Sequence, residues 1–305
     1  MCSLISVVIP CFRSQSYLKQ TVLEIRKAFE TNKKYTCQII LIDDGSPDGT
    51  WEVIRCLCRS FSEIIGIRLS SNFGQARARM AALPHIKGDY AVFMDDDGQH
   101  PPMAIFSLVQ KLSEGYDLVY ARFPKLKESL FRKAASSLSD RTLTAVTKKP
   151  KDLRITSFFA LSSFALSSLG DYQSPYIFLG GYLFEITKRI TSVEIEQRPR
   201  FEGKSSYTFQ KLYAMWLDNM LAFPHTPARL CRKTGFLTFL AGLIFLIAAF
   251  FLSFETLAII SALALGFGLL FVFLGILGEV ILRTFCIIQG VPTYTVQEII
   301  THDNP

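Results

Sequence analysis

Residues 38–49 read Gln-Ile-Ile-Leu-Ile-Asp-Asp-Gly-Ser-Pro-Asp-Gly. A β-branched apolar run that stops at a dense cluster of Asp, Gly, Ser and Pro predicts a buried strand over 38–42 followed by a tight turn. The same grammar occurs on both sides of it. Residues 4–9, Leu-Ile-Ser-Val-Val-Ile, end at Pro10, and the stretch from Asp89 to Met94 ends at Asp95-Asp96-Asp97. Between these strands the apolar period lengthens. Leu18, Val22, Ile25 and Phe29 share one face of a helix over about 15–30, and Trp51–Phe61 and 74–83 also read as helices. Residues 64–69 and 117–120 add strands, and 102–114 adds a helix. Strands alternating with helices predict an α/β fold with a mostly parallel sheet covered on both faces. Ligands of such sheets bind beyond the carboxyl ends of the strands, where the acidic clusters at 43–44 and 95–97 both fall.

The chain of 305 residues has room for one large domain and an appendage. Half of its residues are hydrophobic and its mean hydropathy is +0.28. Much of that excess lies after residue 234. The formal net charge of +7 suits work beside acidic lipid headgroups or phosphorylated ligands. Nucleic-acid binding is not expected, because no aromatic-basic interleaving or recognised module accompanies the charge. Seven cysteines include no paired Cys-x-x-Cys sets, so they read as reduced thiols rather than a zinc site. The first apolar run is a strand and not a signal peptide, since it lacks a basic leader. From 122 to 200 the pattern weakens to a mixed, mainly helical subdomain closing over the sheet, with Lys and Arg clustered at 122–133 and 148–154.

The C-terminal third points to a bilayer. Gly235–Phe254 and Leu257–Leu277 carry no charge, and each reaches the ~20 residues that a hydrocarbon core requires. Glu255-Thr256 leaves room only for a hairpin between them. Arg229, Arg232 and Lys233 precede the first stretch and Arg283 follows the second, so the outer ends are expected in the cytoplasm. Just before, residues 207–223 place Phe209, Leu212, Tyr213, Trp216, Met220 and Phe223 on one stripe, as an interfacial helix would. The expected division is a cytoplasmic catalytic domain over 1–204, an interfacial helix and linker over 205–234, two membrane helices over 235–285, and a cytoplasmic tail over 286–305. The protein is therefore expected to be integral to the inner or plasma membrane.

Asp95 and Asp97, alternate residues at a strand end, can turn toward one point while Asp96 points away. Two convergent carboxylates suit Mg²⁺ or Mn²⁺, whose shell substrate phosphates can complete. An acidic surface turn would look the same in isolation. Here, however, four segments occur in order: Val7-Val8-Ile9-Pro10-Cys11-Phe12, Leu41-Ile42-Asp43-Asp44-Gly45-Ser46-Pro47-Asp48-Gly49-Thr50, Asn72-Phe73-Gly74-Gln75 and Met94-Asp95-Asp96-Asp97-Gly98-Gln99-His100-Pro101-Pro102. With these the chain resembles the family 2 glycosyltransferases of the GT-A (Rossmann-like) fold, in the dolichol-phosphate mannose synthase and bacterial polyprenyl-phosphate glycosyltransferase branch. Arg200-Phe201-Glu202-Gly203-Lys204-Ser205-Ser206-Tyr207, then Gly278-Glu279, Arg283 and Gly290-Val291-Pro292, extend the resemblance past the apolar stretches.

The resemblance implies inverting transfer of a sugar from a UDP- or GDP-linked donor to a polyprenyl (undecaprenyl or dolichyl) phosphate, for cell-envelope glycan modification. It implies that Pro10 and Phe12 border the nucleobase pocket, and that Asp44, with Asp43, hydrogen-bonds the base. Gly74 and Gln75 would lie near the donor, Asp95 and Asp97 would hold metal and diphosphate, and Gln99 would line the sugar side. Asp96 would be a catalytic helper. Arg200 and Ser205 would hold the acceptor phosphate, a task to which the arginine fork is suited. A homo-oligomer is compatible with all of this. Many similar enzymes carry an arginine after an aromatic residue in a mid-chain Phe-Arg-Leu segment. Here Ser157-Phe158-Phe159-Ala160-Leu161 has none, leaving either Arg154 as a substitute or a different way of holding the sugar. The acceptor phosphomonoester, with a second pKa of about 6, needs little help from a base. Alignment and charge neutralisation are expected to dominate. Gln197-Arg198-Pro199-Arg200-Phe201 lacks the Trp of a Gln-x-x-Arg-Trp motif, which argues against a processive polysaccharide synthase. A non-catalytic scaffold or nucleotide sensor would have little use for the carboxylates at 95 and 97.

Overall fold

The computed structural model describes residues 2–124, 153–170, 179–196, 198, 238, 255–289 and 292–302. The predicted alternation is present. Strand β1 (Ser3–Cys11) leads to helix α1 (Leu18–Thr31), β2 (Tyr35–Asp43) to α2 (Thr50–Ser60), and β3 (Ile64–Leu69) to α3 (Gln75–Ala82). After a short 3₁₀ turn at Leu83–His85 come β4 (Tyr90–Phe93), α4 (Ala104–Ser113) and β5 (Leu118–Arg122). Strand β6 (Phe159–Ser162), α5 (Ser163–Gly170), α6 (Leu179–Ile186) and β7 (Ile190–Glu194) follow, then α7 (Glu255–Ile288) and β8 (Val296–Ile300).

The eight strands form one sheet in the order β7-β5-β6-β4-β1-β2-β3-β8. The centre is parallel: β4 with β1, β1 with β2, and β2 with β3. Successive residues of the central strands feed opposite faces, which explains their unbroken apolar runs. Ile5, Val7 and Ile9 join Ile39 and Leu41 in a core covered by α1, α2 and α4. Val8, Ile40 and Ile42 join the opposite core, under α3, α5 and α6. Burying a side chain such as Ile39 is worth about 1.5–3 kcal/mol, and dozens of such residues offset the entropy of ordering the chain. Cys56 is exposed and Cys58 buried, as their different directions on α2 require.

Three strands lie where the sequence suggested no strand. β6 is antiparallel to both β4 and β5, wedged between them, and β7 runs parallel to β5 at the edge. Residues 159–162 and 190–194 of the stretch 122–200 thus belong to the sheet and not to a helical cover. A four-residue apolar run such as Phe158–Leu161 has too few residues for its period to be read. Val296–Ile300 lies inside the stretch expected to be a tail, yet pairs antiparallel with β3 as β8.

The chain divides into a unit made of Met1–Ser206 with Pro292–Pro305, and a second unit, Tyr207–Val291. In the second unit, Glu255 and Thr256 lie on helix α7, which runs on to Ile288, beyond the expected end of the second span; the other side of the expected hairpin lies outside the described residues. Among the described residues no helix is long and apolar enough to cross a membrane. Several side chains of 257–277 are outside that set. Those described on α7 include exposed Ile259, Leu263, Phe267, Leu270, Phe273, Leu274 and Leu277. The expected first span, apart from Thr238, and the interfacial helix 207–223 lie outside the described residues.

Candidate active site

Parallel pairing brings the acidic clusters to one edge. Cys11 pairs with Asp43, and Val8 pairs with Phe93, so Phe12, Asp44 and Asp95 all emerge at the carboxyl ends of neighbouring strands. Pro10 sits on β1 past the last residue paired to β4, where its missing N–H is tolerated. Phe12 follows with its ring 40% exposed at this edge.

Asp43 and Asp44 are both buried. Asp44 accepts the Phe73 N–H at 2.8 Å on one oxygen and the Gly74 N–H at 2.9 Å on the other. Asp43 accepts the Ser46 N–H at 3.0 Å, and its second oxygen lies 3.6 Å from Arg68 Nε. Burial lifts both carboxyls above their ordinary value, against the opposing pull of these hydrogen bonds. The turn that follows them needs glycine at 45. Its φ is +65°, and a Cβ there would come within 2.4 Å of the Ser71 carbonyl carbon. The pair thus builds the loop that carries Asn72-Phe73-Gly74-Gln75.

The Asp95–Asp97 loop is held differently. Asp95 Oδ1 accepts Gln75 Nε2 at 2.5 Å and Arg79 Nη2 at 3.3 Å, while Oδ2 accepts Ser157 Oγ at 2.5 Å. Its own N–H donates to His100 Nδ1 at 3.0 Å. That ring is stacked between Phe158 and Phe123, with centroids 4.7 and 5.6 Å away. Burial lowers the His100 pKa, consistent with a neutral ring that accepts at Nδ1. Asp96 turns from Asp95 toward the β1–α1 connection, accepting the Phe12 N–H at 3.4 Å and the Ser14 hydroxyl. Burial first, then Asp95 and Asp97, push its carboxyl up to about 7. Asp97 is buried and accepts the Gln99 N–H at 3.1 Å. Gln99 is half-buried, and its carbonyl accepts the Arg198 N–H at 3.1 Å.

The structure therefore gathers Pro10, Phe12, Asp43, Asp44, Gly74, Gln75, Asp95, Asp96, Asp97 and Gln99 at one edge of the sheet. Arg200 and Ser205 lie outside the described residues. Arg154 is exposed, and the cation beside Phe159 is Arg79, whose Cζ lies 5.6 Å from the ring centroid. Arg79, His100 and Ser157 are the site residues that sequence reasoning missed. His100 stood inside the quoted acidic segment, but nothing in its spacing indicated a ring nitrogen facing back onto Asp95. No group of three or more His, Cys, Asp or Glu among the described residues is arranged to hold a metal. Two hard carboxylates on one short loop nevertheless fit Mg²⁺ or Mn²⁺ in their chemistry, because these ions take the rest of their shell from water and phosphate.

Comparison with known proteins agrees with this architecture. The sequence profile described as Glycosyl transferase family 2 matches residues 6–170, more than half of the chain. A Bacillus subtilis (strain 168) protein named as the glycosyltransferase CsbB is 30% identical over 304 residues, covering 97% of this chain and 92% of its own. Undecaprenyl-phosphate 4-deoxy-4-formamido-L-arabinose transferase of Salmonella choleraesuis (strain SC-B67) is 31% identical over 326 residues, covering 97% and 93%. Among solved structures, glucosyl-3-phosphoglycerate synthase of Mycobacterium tuberculosis, crystallised with Mg²⁺ and uridine diphosphate, superposes with a TM-score of 0.54 at 20% identity, over 72% of this chain and 77% of that one. Mannosyl-3-phosphoglycerate synthase of Rubrobacter xylanophilus gives 0.53 at 17%, over 76% and 75%. At those identities the likeness is one of fold. With a mostly parallel sheet, its acidic loops at the carboxyl edge and the match over 6–170, the chain belongs to glycosyltransferase family 2.

Proposed function

We propose that this glycosyltransferase moves a sugar from a nucleoside-diphosphate donor onto a polyprenyl phosphate, undecaprenyl phosphate being the first acceptor to test. The observation that carries the proposal is the likeness to an undecaprenyl-phosphate sugar transferase over 97% of the chain, which takes in both the acidic loops and the apolar stretches. Asp95 and Asp97 would hold Mg²⁺ or Mn²⁺, which supplies charge neutralisation for the departing nucleoside diphosphate. Phe12 and Pro10 would border the base. Asp44 would act on the donor through the loop it holds, with Asp43 supporting it, and Gln75 and Gln99 would face the sugar. Arg200 and Ser205 would bind the acceptor phosphate, whose oxygen is already largely anionic near neutral pH.

Membrane anchoring belongs to the same proposal. The uncharged stretches 235–254 and 257–277 and the exposed apolar side chains of α7 support it. Strand β8 follows these stretches and pairs within the sheet, so an excursion across a bilayer between them must return, which fits two crossings. The basic residues at 229–233 and 283 favour a cytoplasmic catalytic unit. Purified protein in lipid discs, given undecaprenyl phosphate, Mn²⁺ and a panel of labelled nucleotide sugars, is expected to form a lipid-linked monosaccharide. Arg200→Ala should lower acceptor use by about one to two decades and leave donor affinity in place. A polymeric product, or transfer only to a water-soluble acceptor, overturns the reading.

A further inference from the structure

Arg79 is an arginine with 9% of its surface exposed on a helix otherwise packed through Met80 and three alanines. Arginine is seldom buried this deeply without a partner for its charge. The helix supplies both reasons for its position. Gln75 and Arg79 are four residues apart, so they lie on one face, and both donate to the same oxygen of Asp95, at 2.5 and 3.3 Å. The guanidinium also donates to the Ser157 carbonyl at 3.4 Å and lies over the face of Phe159. Ser157 in turn donates to the other oxygen of Asp95. Helix α3 and the entry to β6, more than seventy residues apart in sequence, thus converge on one carboxylate.

From this convergence we infer that Arg79 is a positioning residue of the donor site, which fixes Asp95 and supplies the positive charge against which a nucleoside diphosphate binds. The inference rests on the donor chemistry proposed above. Its electrostatics set two ligands against each other. A fixed cation beside Asp95 repels a metal ion that arrives alone, because both compete for the same negative charge. The same cation attracts a metal–diphosphate complex, whose phosphate oxygens bring excess negative charge. A residue needed only for packing would affect both ligands in the same direction. One nitrogen, Nη2, reaches both Asp95 and the Ser157 carbonyl, so a lysine ammonium can supply part of these contacts but loses the guanidinium contact with the Phe159 ring.

The test uses the full-length protein with Mn²⁺ alone, then with Mn²⁺ plus UDP or GDP as probes. Binding is followed by electron paramagnetic resonance of the free ion and by calorimetry, with thermal unfolding as a check on folding. Arg79→Met, close in length and without charge, is expected to weaken Mn²⁺-dependent nucleotide binding about ten- to hundredfold. Its affinity for Mn²⁺ alone should hold steady or tighten. Arg79→Lys should recover part of the nucleotide affinity. Parallel weakening of both ligands in Arg79→Met, or unchanged nucleotide affinity, overturns the inference and leaves the donor reading intact. Failure of the wild-type protein to bind either nucleotide with Mn²⁺ overturns both.

Discussion

Asp44 and Asp95 flank β1 at the same edge of the sheet, and they are built to opposite ends. Asp44, at the end of β2, is consumed by the protein's own backbone: its two oxygens hold the N–H groups of Phe73 and Gly74. Asp95, after β4, receives side-chain donors from Gln75, Arg79 and Ser157, and is only partly buried. Backbone donors are fixed once the strands pair, so they make a carboxylate part of the frame. Side-chain donors can rotate away, so they leave a carboxylate able to exchange partners when a cation or a phosphate arrives. Consecutive aspartates followed by glycine thus specify a scaffold in one place and an adaptable site in the other.

The comparison breaks first, and most visibly, on activity. Asp95→Asn and Asp97→Asn should each lower sugar transfer by at least about a hundredfold, the scale seen when charge stabilisation of a leaving group is removed. Their thermal midpoints should stay near that of the wild type. Near-normal turnover of the wild type in excess EDTA would contradict the use of these carboxylates for a metal.

Asp44→Ala tests the other half. It removes both partners of two backbone N–H groups in a buried setting, at a cost of about 2–4 kcal/mol. In a domain of this size that lowers the midpoint of thermal unfolding by roughly 5–15 °C. An unchanged midpoint in scanning calorimetry, with transfer nonetheless lost, would move Asp44 from frame to chemistry.

The smallest effect sharpens the contrast through pH. A third acid, Asp117 at the start of β5, is buried, but it accepts Arg189 Nε at 2.9 Å, Arg189 Nη2 at 3.0 Å, Thr187 Oγ1 at 2.6 Å and Ser162 Oγ at 3.0 Å. Burial raises its pKa, but these bonds outweigh it and hold the carboxyl below the ordinary range. Its contribution is present above the unfolded value of about 3.9, and it is lost as pH falls through the lower folded value. Asp43 and Asp44, whose folded values are raised, act in reverse: stability falls as pH rises from about 3.9 through those values. Urea unfolding measured from pH 3 to 6, from about one unit below the free carboxylate value to about two units above it, should show a shallower acid-side loss in Asp117→Asn. Asp44→Asn should show a smaller decline on the rising side. Identical slopes in the two variants would erase the distinction.

The alternation of strands and helices through residue 122, the two covered faces and the acidic edge were all legible in the sequence. Each rests on short-range pattern: apolar period, turn residues and the rule that parallel strands present their carboxyl ends to ligands. The acidic segment 95–97 was legible as a loop just past a strand end, and its use for a metal stays a proposal. What only the tertiary structure decided involves partners far apart in the chain. β6 slots between β4 and β5, β8 closes on β3 after a long excursion, and Asp44 spends its oxygens on a loop about thirty residues away. Arg79 carries the clearest case. In sequence it is one of two arginines on a short helix. Only the arrival of Ser157 and Phe159 beside it turns that buried charge into part of the site. Period and turn chemistry act over a few residues, whereas the environment of a charge is set by whichever segments fold against it.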